Sequence, residues 1–127
     1  MTSVEVPYSI ACVLPSLVVI DVTNEVAHAV ASGEARSGIA FVTAGASGLI
    51  RVNEREDGFF SDVGSLLERL VPLDAAGREG LLGLLLGARS EAVPYADRTL
   101  CLGRWQRVLL FGFSEGFVPE WHVTLLG

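Results

Sequence analysis

The first candidates for chemistry are the polar residues that follow the apolar segment Leu49–Asn53. Asn53 and Glu54 end that segment, and Asp62 lies further along in the same acidic stretch. A carboxylate at the end of an apolar strand can face a cleft, where burial raises its pKa and suits it to act as a general acid or base. Glu54 is therefore the candidate catalytic residue. A solvated helix start explains the same acids, because negative charge favours the N-terminus of a helix.

A run of small residues precedes this segment. No side chain from Thr43 to Gly48 is larger than threonine. Such runs occur where the backbone bends tightly or where a ligand approaches it closely. Successive N–H groups over Gly45–Gly48 can form an anion-binding nest. A hairpin turn with a bulge explains the composition as well, and composition alone favours the turn.

Other residues with chemical potential do not form convincing sites. Cys12 and Cys101 are too few for a zinc site, and we expect both to be small buried residues. His28 lies off the apolar stripe of a predicted helix, and His122 lies in the final predicted strand, so we expect neither a metal site nor a cofactor. The segment Gly112–Gly116 matches G-x-S-x-G, but a strand rather than a helix follows it, so the match is accidental.

Length and composition narrow the class of protein. A chain of 127 residues and 13.5 kDa has room for one domain, residues 1–127. Nine arginines, no lysines and a net charge of −6 disfavour binding to nucleic acid. No apolar run reaches the roughly 20 residues of a membrane helix, and the apolar region near the start lacks a basic flank, so we expect a cytoplasmic protein without a signal peptide.

Hydrophobic periodicity predicts three helices and eight strands. One helix begins near Asn24, and a second carries an apolar stripe formed by Phe60, Val63, Leu67 and Leu70. A third is predicted from Ala75 to Leu86, with Asp74 as its N-cap. The predicted strands are Val4–Ile10, Leu17–Val22, Gly38–Thr43, Leu49–Asn53, Ala92–Tyr95, Thr99–Leu102, Arg104–Phe113 and Trp121–Leu126.

Two predicted elements are apolar on all sides. The third helix carries Gly80–Gly87, which leaves no polar face for solvent, and the strand segment Val108–Phe111 is apolar on both faces. In a chain this short, such elements favour self-association.

Several motifs, in order and with similar spacing, resemble the YjbQ family, whose members are described as secondary thiamine-phosphate synthases. The resemblance covers almost the whole chain. It implies an α+β fold, that is, a single compact domain of antiparallel or mixed sheets with about three helices. It also implies a homotrimer, with active sites at or near subunit boundaries. The motifs are Asp21-Val22-Thr23, Val52-Asn53-Glu54 before Asp62, Leu70-Val71-Pro72, Leu85-Leu86-Gly87, Val93-Pro94 and Leu102-Gly103-Arg104-Trp105-Gln106.

The same resemblance indicates where the active-site motifs of that family are altered. The family's H-T-T-A motif corresponds to Gly45–Gly48, so Gly45 occupies the histidine position. Its N-x-x-x-H-L motif corresponds to Ala76–Leu81, which places Ala76 at the asparagine and Gly80 at the second histidine. The arginine expected near the last turn is also absent from Glu115–Pro119. Asn53, Glu54, Asp62, Trp105 and Gln106 are retained.

Two functions follow from this pattern. The first is a degenerate, non-catalytic homotrimer with a structural role or a small, phosphorylated ligand, bound by the Gly45–Gly48 backbone together with Ser47, Arg104 and Gln106. The second is an enzyme with residual or altered activity related to thiamine-phosphate synthesis, in which Glu54 is the acid or base and Asp62 orients it. Asn53 and Trp105 complete the candidate binding residues. A closed pocket with basic groups around Glu54 would favour the enzyme.

Overall fold

The computed structural model describes residues 9–127 as three helices and eight strands. The predicted strand Val4–Ile10 lies mostly outside these residues. The helices are α1 (Thr23–Ser32), α2 (Asp57–Leu70) and α3 (Arg78–Leu86). The strands are β1 (Ser9–Leu14), β2 (Leu17–Asp21), β3 (Gly38–Ala44), β4 (Leu49–Glu54), β5 (Ser90–Ala96), β6 (Thr99–Leu100), β7 (Gln106–Gly112) and β8 (Trp121–Leu126).

The strands form two four-stranded sheets, and every pairing is antiparallel. Sheet A has the order β1-β2-β7-β4, and sheet B has the order β6-β5-β3-β8. This arrangement confirms the predicted α+β class and the number of helices. Across residues 9–127, no helix is both long and apolar enough to span a bilayer.

Sheet A lies between two hydrophobic cores. Alternate residues of its strands, such as Ile50 on β4 and Leu110 on β7, join a core shared with sheet B and α1. The residues between them, such as Leu49 and Leu109, join a second core beneath α2 and α3. Because successive side chains of a strand point to opposite faces, β2 carries apolar residues at every position from Leu17 to Ile20, and β7 does so from Val108 to Phe111. The two-sided apolar character of β7 is thus explained within one chain, without a second subunit.

The helices differ from their predictions near their ends. Leu70 was expected on the buried stripe of α2 but is exposed, and Val71 takes the buried position beyond the helix. The prediction that Asp74 caps a helix from Ala75 is wrong. Turns occupy that segment, and α3 starts only after Gly77, whose φ of +70° cannot continue a right-handed helix.

Arg78 explains why the turns before α3 hold their shape. Its side chain is buried, and its Nε donates to the carbonyl of Val71 at 3.0 Å. Its terminal nitrogens donate to the carbonyls of Phe113 and Ser16. One guanidinium therefore joins three segments that are distant in sequence.

Two further predictions need correction. Arg104 and Trp105 lie in a turn before β7 rather than on the strand, since the N–H of Gln106 donates to the carbonyl of Gly103 at 3.0 Å. The predicted strand Thr99–Leu102 is reduced to the two residues of β6. Both cysteines were predicted to be buried, but Cys12 is only partly buried and Cys101 is exposed.

Candidate functional site

A buried carboxylate organises one end of sheet A. Asp21, at the end of β2, is 2% exposed. Its Oδ1 accepts hydrogen bonds from the N–H of Thr23 at 3.0 Å and from the hydroxyl of Thr23 at 2.6 Å. Its Oδ2 accepts from Nε of Arg107 at 2.8 Å and from Nη1 of Arg55 at 3.3 Å. Arg107 from β7 and Arg55, the residue that follows β4, are therefore fixed to one carboxylate.

The pKa of Asp21 is lower than its ordinary value. Burial is the largest single influence and acts to raise the pKa, but it is outweighed by the hydrogen bonds from Arg107 and Thr23 and by the positive charge of Arg107. Asp21 is thus ionised at neutral pH and forms ion pairs with Arg55 and Arg107.

These arginines line an open depression, here called the arginine depression. Its volume is about 650 Å³. The residues that line it are Glu54, Arg55, Glu56, Arg104, Trp105 and Arg107. The structure therefore brings together three of the predicted site residues, Glu54, Arg104 and Trp105.

Glu54 is exposed at the end of β4, directly opposite Gln106 of β7. Glu56 is occupied elsewhere, because its carboxylate accepts from the N–H groups of Gly58 at 2.9 Å and Phe59 at 2.7 Å and so caps α2. Within the described chain, no hydrogen bond or ion pair engages the carboxylate of Glu54. The site thus combines basic neighbours with an open, solvent-accessible carboxylate.

Trp105 offers a flat surface at the edge of the depression. Its side chain is 64% exposed, and the guanidinium of Arg104 lies 4.9 Å from the centre of its ring. The turn that presents both residues is closed by Gln106, whose Oε1 accepts from the N–H of Gly103 at 2.7 Å. Gln106 therefore shapes the site rather than offering a free amide oxygen.

The remaining predicted residues lie apart from this group or at its margin. Asn53 and Phe59 line a smaller adjoining depression with Glu54 and Glu56. Asp62 is exposed on α2, and among residues 9–127 no hydrogen bond joins it to Glu54. Ser47 precedes β4, whereas Glu54 ends it, a separation of roughly 20 Å at about 3.3 Å per residue.

Ser47 belongs to a second depression at the other end of β4. Its volume is about 310 Å³, and it is lined by Ser47, Gly48, Glu79, Gly80 and Arg89 among others. Arg89 donates through Nη2 to the carbonyl of Gly45 at 2.8 Å. The positions that the resemblance assigns to the two histidines, Gly45 and Gly80, therefore belong to segments that meet around one depression.

The small-residue turn is constrained by its own packing. Gly48 has a φ of +89°, and a Cβ there would lie 2.6 Å from the carbonyl oxygen of Phe111. The N–H of Gly45 donates to the carbonyl of Glu120 at 2.7 Å and so is not available for a nest. A Cβ at Gly45 would lie 2.6 Å from that of Glu120, whereas nothing lies within 4 Å of one at Gly80.

Sequence reasoning missed Arg55, Arg107 and Arg89 as parts of these sites. The available signal was Asp21, a carboxylate that ends a strongly apolar strand and must be paired when buried. Among residues 9–127, no three His, Cys, Asp or Glu side chains lie close enough to hold a metal ion.

The fold and the chain as a whole define an α+β domain of a known kind. Residues 15–124 match the family model described as UPF0047 protein YjbQ-like. The chain therefore belongs to the YjbQ (UPF0047) family. It is 34% identical to a UPF0047 protein of Archaeoglobus fulgidus over 76% of this chain and 81% of the relative. It is 33% identical to a UPF0047 protein of Methanothermobacter thermautotrophicus over 70% of this chain and 68% of the relative.

Solved structures support the same fold. A hypothetical protein of Aeropyrum pernix K1 superposes with a TM-score of 0.75 at 24% identity, covering 87% of this chain and 90% of that one. A YjbQ/UPF0047 family protein of Clostridium acetobutylicum superposes with a TM-score of 0.75 at 21% identity, covering 87% and 92%. The descriptions of these relatives state no activity. The geometry of the site is therefore the basis for a function.

Proposed function

We propose that this protein is a non-catalytic member of its family that binds a small, flat, phosphorylated ligand in the arginine depression and assembles as a homotrimer. The observation that carries the proposal is the concentration of Arg55, Arg104 and Arg107 around one depression, beside an exposed Trp105, in a chain of net charge −6. Glu54 and Glu56 line the same depression, and Asp21 pairs with Arg55 and Arg107, so net charge does not select an anion here. The guanidinium donors that remain free favour an anionic ligand, because hydrogen bonds from a guanidinium to a phosphate are charge-assisted.

The state of each arginine indicates where the anion would bind. Arg55 donates to Asp21, to Ser9 and to the carbonyl of Ile10, so its donors are largely engaged. Arg107 uses Nε for Asp21 and keeps its terminal nitrogens available among the described contacts. Arg104 lies over Trp105. We place the phosphate between Arg104 and Arg107, with a ring of the ligand stacked on Trp105.

The proposal that the site is non-catalytic is supported by the lack of a second free proton-transfer group around the depression among residues 9–127. His28 on α1 and His122 on β8 are both exposed, and neither lines the arginine depression. Glu56 is held as the cap of α2. Loss of a positioned general acid or base lowers a rate by roughly 10²–10⁴, and the resemblance indicates two such losses, at Gly45 and Gly80.

Self-association is supported by apolar side chains that a single chain leaves uncovered. On α3, Leu84 is 83% exposed and Leu85 is 65% exposed, with Leu81 beside them. Contiguous exposed leucines of this kind are typical of an interface between proteins. We therefore assign α3 to the subunit boundary of the trimer.

One observation favours the alternative of an enzyme with altered activity. Glu54 shares its depression with three arginines, and its carboxylate has no partner among residues 9–127. An unengaged carboxylate beside bound phosphate would be positioned for proton transfer. The two functions differ in whether a bound ligand is turned over.

Calorimetric titration with thiamine monophosphate, which carries a flat ring and a phosphate, tests the binding proposal. We expect 1:1 binding per chain that weakens roughly tenfold or more in Arg104→Gln and Trp105→Ala. Arg36→Gln is the matched control, because Arg36 is an exposed arginine paired with Asp97 outside the depression. Absence of binding, or equal binding by all three variants, would overturn the proposal.

A further inference from the structure

A further cavity lies between α2 and the face of sheet A. Asn53 and Phe59 line both this cavity and the small depression that adjoins the arginine depression, whereas none of the cavity's lining residues lines the arginine depression itself. The volume of the cavity is about 350 Å³, within the range of small-molecule sites, which begins near 300 Å³. Apolar side chains form most of its wall. They are Leu17, Leu49 and Phe111 from the sheet and Phe59, Val63 and Leu67 from the helix.

Two polar side chains enter this apolar wall. Arg51 and Asn53 lie on the same face of β4, because alternate residues of a strand point to the same side, and both line the cavity. Both are only partly exposed. The cavity therefore contains one cation and one amide, surrounded by hydrocarbon.

No carboxylate pairs with Arg51 in the described chain. Its Nη2 donates to the carbonyl of Leu86 at 2.6 Å, which anchors the side chain. None of the ion pairs formed within residues 9–127 includes Arg51. A guanidinium carries five N–H donors. The bond to Leu86, the last residue of α3, places the charge at the negative end of that helix, but it leaves most of the donors unused and no carboxylate paired with the guanidinium. A partly buried charge in apolar surroundings is costly unless it is paired.

We infer that this cavity binds a small amphipathic carboxylate. The carboxylate accepts two parallel hydrogen bonds from Arg51, a geometry that a guanidinium provides, and Asn53 donates a further bond from its amide. The apolar body of the ligand lies among Val63, Leu67 and Phe111.

A single carboxylate fits this cavity better than a phosphate. One guanidinium balances one negative charge, whereas a phosphate dianion would leave a second charge among apolar side chains. The inference does not depend on the proposed function, because neither Arg51 nor Asn53 lines the arginine depression and the ligand class is different.

The test uses octanoate as the probe, with octanol and octylamine as uncharged and cationic comparators. In titrations followed by calorimetry and by ¹⁵N–¹H spectra of the full chain, we expect octanoate to bind and to shift the amide signals of β4 and α2. We expect octanol to bind at least about tenfold more weakly and octylamine not to bind, because a charge-assisted hydrogen bond is worth roughly tenfold or more in affinity.

Three variants separate the contributions. Arg51→Gln removes the charge and should weaken octanoate roughly tenfold or more while leaving octanol unchanged. Val63→Phe fills the cavity, leaves Arg51 in place and should abolish binding of both probes. Arg89→Gln is the matched control, since Arg89 also donates to backbone carbonyls near β4 but lines the neighbouring depression. It should bind octanoate as the wild type does.

Three results would overturn the inference. They are no octanoate binding at millimolar concentration, equal affinity for octanoate and octanol, or signal shifts confined to the arginine depression. Should Arg51→Gln fail to fold, the Val63→Phe variant and the comparison of the three probes decide the question alone.

Discussion

Asp21 is the residue on which the candidate site depends most directly. It is buried, and it fixes Arg107 from β7 and Arg55 from the end of β4 through one carboxylate oxygen. Its other oxygen holds Thr23, whose hydroxyl accepts from the N–H of Val108 at 2.8 Å. Asp21 therefore fixes two arginines of the site and, through Thr23, the backbone of β7.

Replacing Asp21 with asparagine should lower the free energy of unfolding at pH 7 by roughly 1.5–3 kcal/mol, because hydrogen bonds to a charged group are lost. The pKa of Asp21 is lower in the folded chain than its ordinary value of 3.8. Between the folded pKa of Asp21 and about pH 4, the unfolded chain therefore binds more protons than the folded chain. The free energy of unfolding rises with pH over this range. The contribution is fully present above about pH 4 and is lost as the pH falls through the folded pKa.

Urea unfolding of wild type and Asp21→Asn between pH 2 and 7 measures this difference. Asp97→Asn is the matched control, because the Asp97–Arg36 pair is 85% and 73% exposed and exposed pairs contribute little. A wild-type advantage over Asp21→Asn that stays constant below pH 4 would show that the carboxylate is not the stabilising group.

Gly45 and Gly80 allow a second test at the scale of single residues. Gly45→His forces a side chain against Glu120 and should cost roughly 1–3 kcal/mol of stability, as overpacking does. Gly80→His meets open space on α3 and should be neutral or slightly stabilising, since glycine is a poor helix former. Thermal unfolding of both variants checks this. Equal stability of the two variants would mean that Glu120 moves aside and that the turn tolerates a side chain at position 45.

At the scale of elements, α3 carries a prediction about assembly. Leu84→Glu changes a side chain that is 83% exposed in the single chain, so it should leave the monomer folded while introducing charge into the proposed interface. Light scattering after gel filtration should show a trimer for the wild type and a monomer for the variant.

Val118→Glu is the control for that experiment, because Val118 is 66% exposed but lies outside α3. It should remain trimeric. A wild-type monomer would contradict the proposed assembly, and a trimer that persists in Leu84→Glu would place the interface elsewhere.

The elements themselves could be predicted where the signal is local. The bounds of β8 agree with the sequence prediction at both ends, and α1 and β4 agree within about a residue. The start of α3 could not be predicted, because the decisive features are the positive φ of Gly77 and the buried contacts of Arg78. Both depend on segments distant in sequence, so a capping pattern at Asp74 was misleading.

At the scale of the whole molecule, the site arises from strand pairing rather than from any motif. Arg107 and Asn53 face each other across β7 and β4, and Glu54 faces Gln106. Glu54, Arg104 and Trp105 could be predicted as candidates from the sequence, and the register of β4 and β7 explains why they lie together. Arg55 and Arg107 could not be predicted, because their role is set by Asp21 on a third segment.

The same register separates Ser47 from the other candidates. Ser47 and Glu54 lie at opposite ends of β4, and Arg89 rather than Arg104 accompanies Ser47. A binding site that combined Ser47 with Arg104 and Gln106 in one chain is therefore not what the fold presents. Any single ligand that contacted both ends would have to span the strand.

The central claim is that the arginine depression binds a ligand without converting it. The most direct measurement is formation of thiamine phosphate from the pyrimidine diphosphate and thiazole phosphate by the purified protein. An intact family member serves as the positive control and Glu54→Gln as the site control. We predict no turnover by wild type or variant beside an active control. Turnover by the wild type that Glu54→Gln abolishes would contradict the account and establish Glu54 as the catalytic residue.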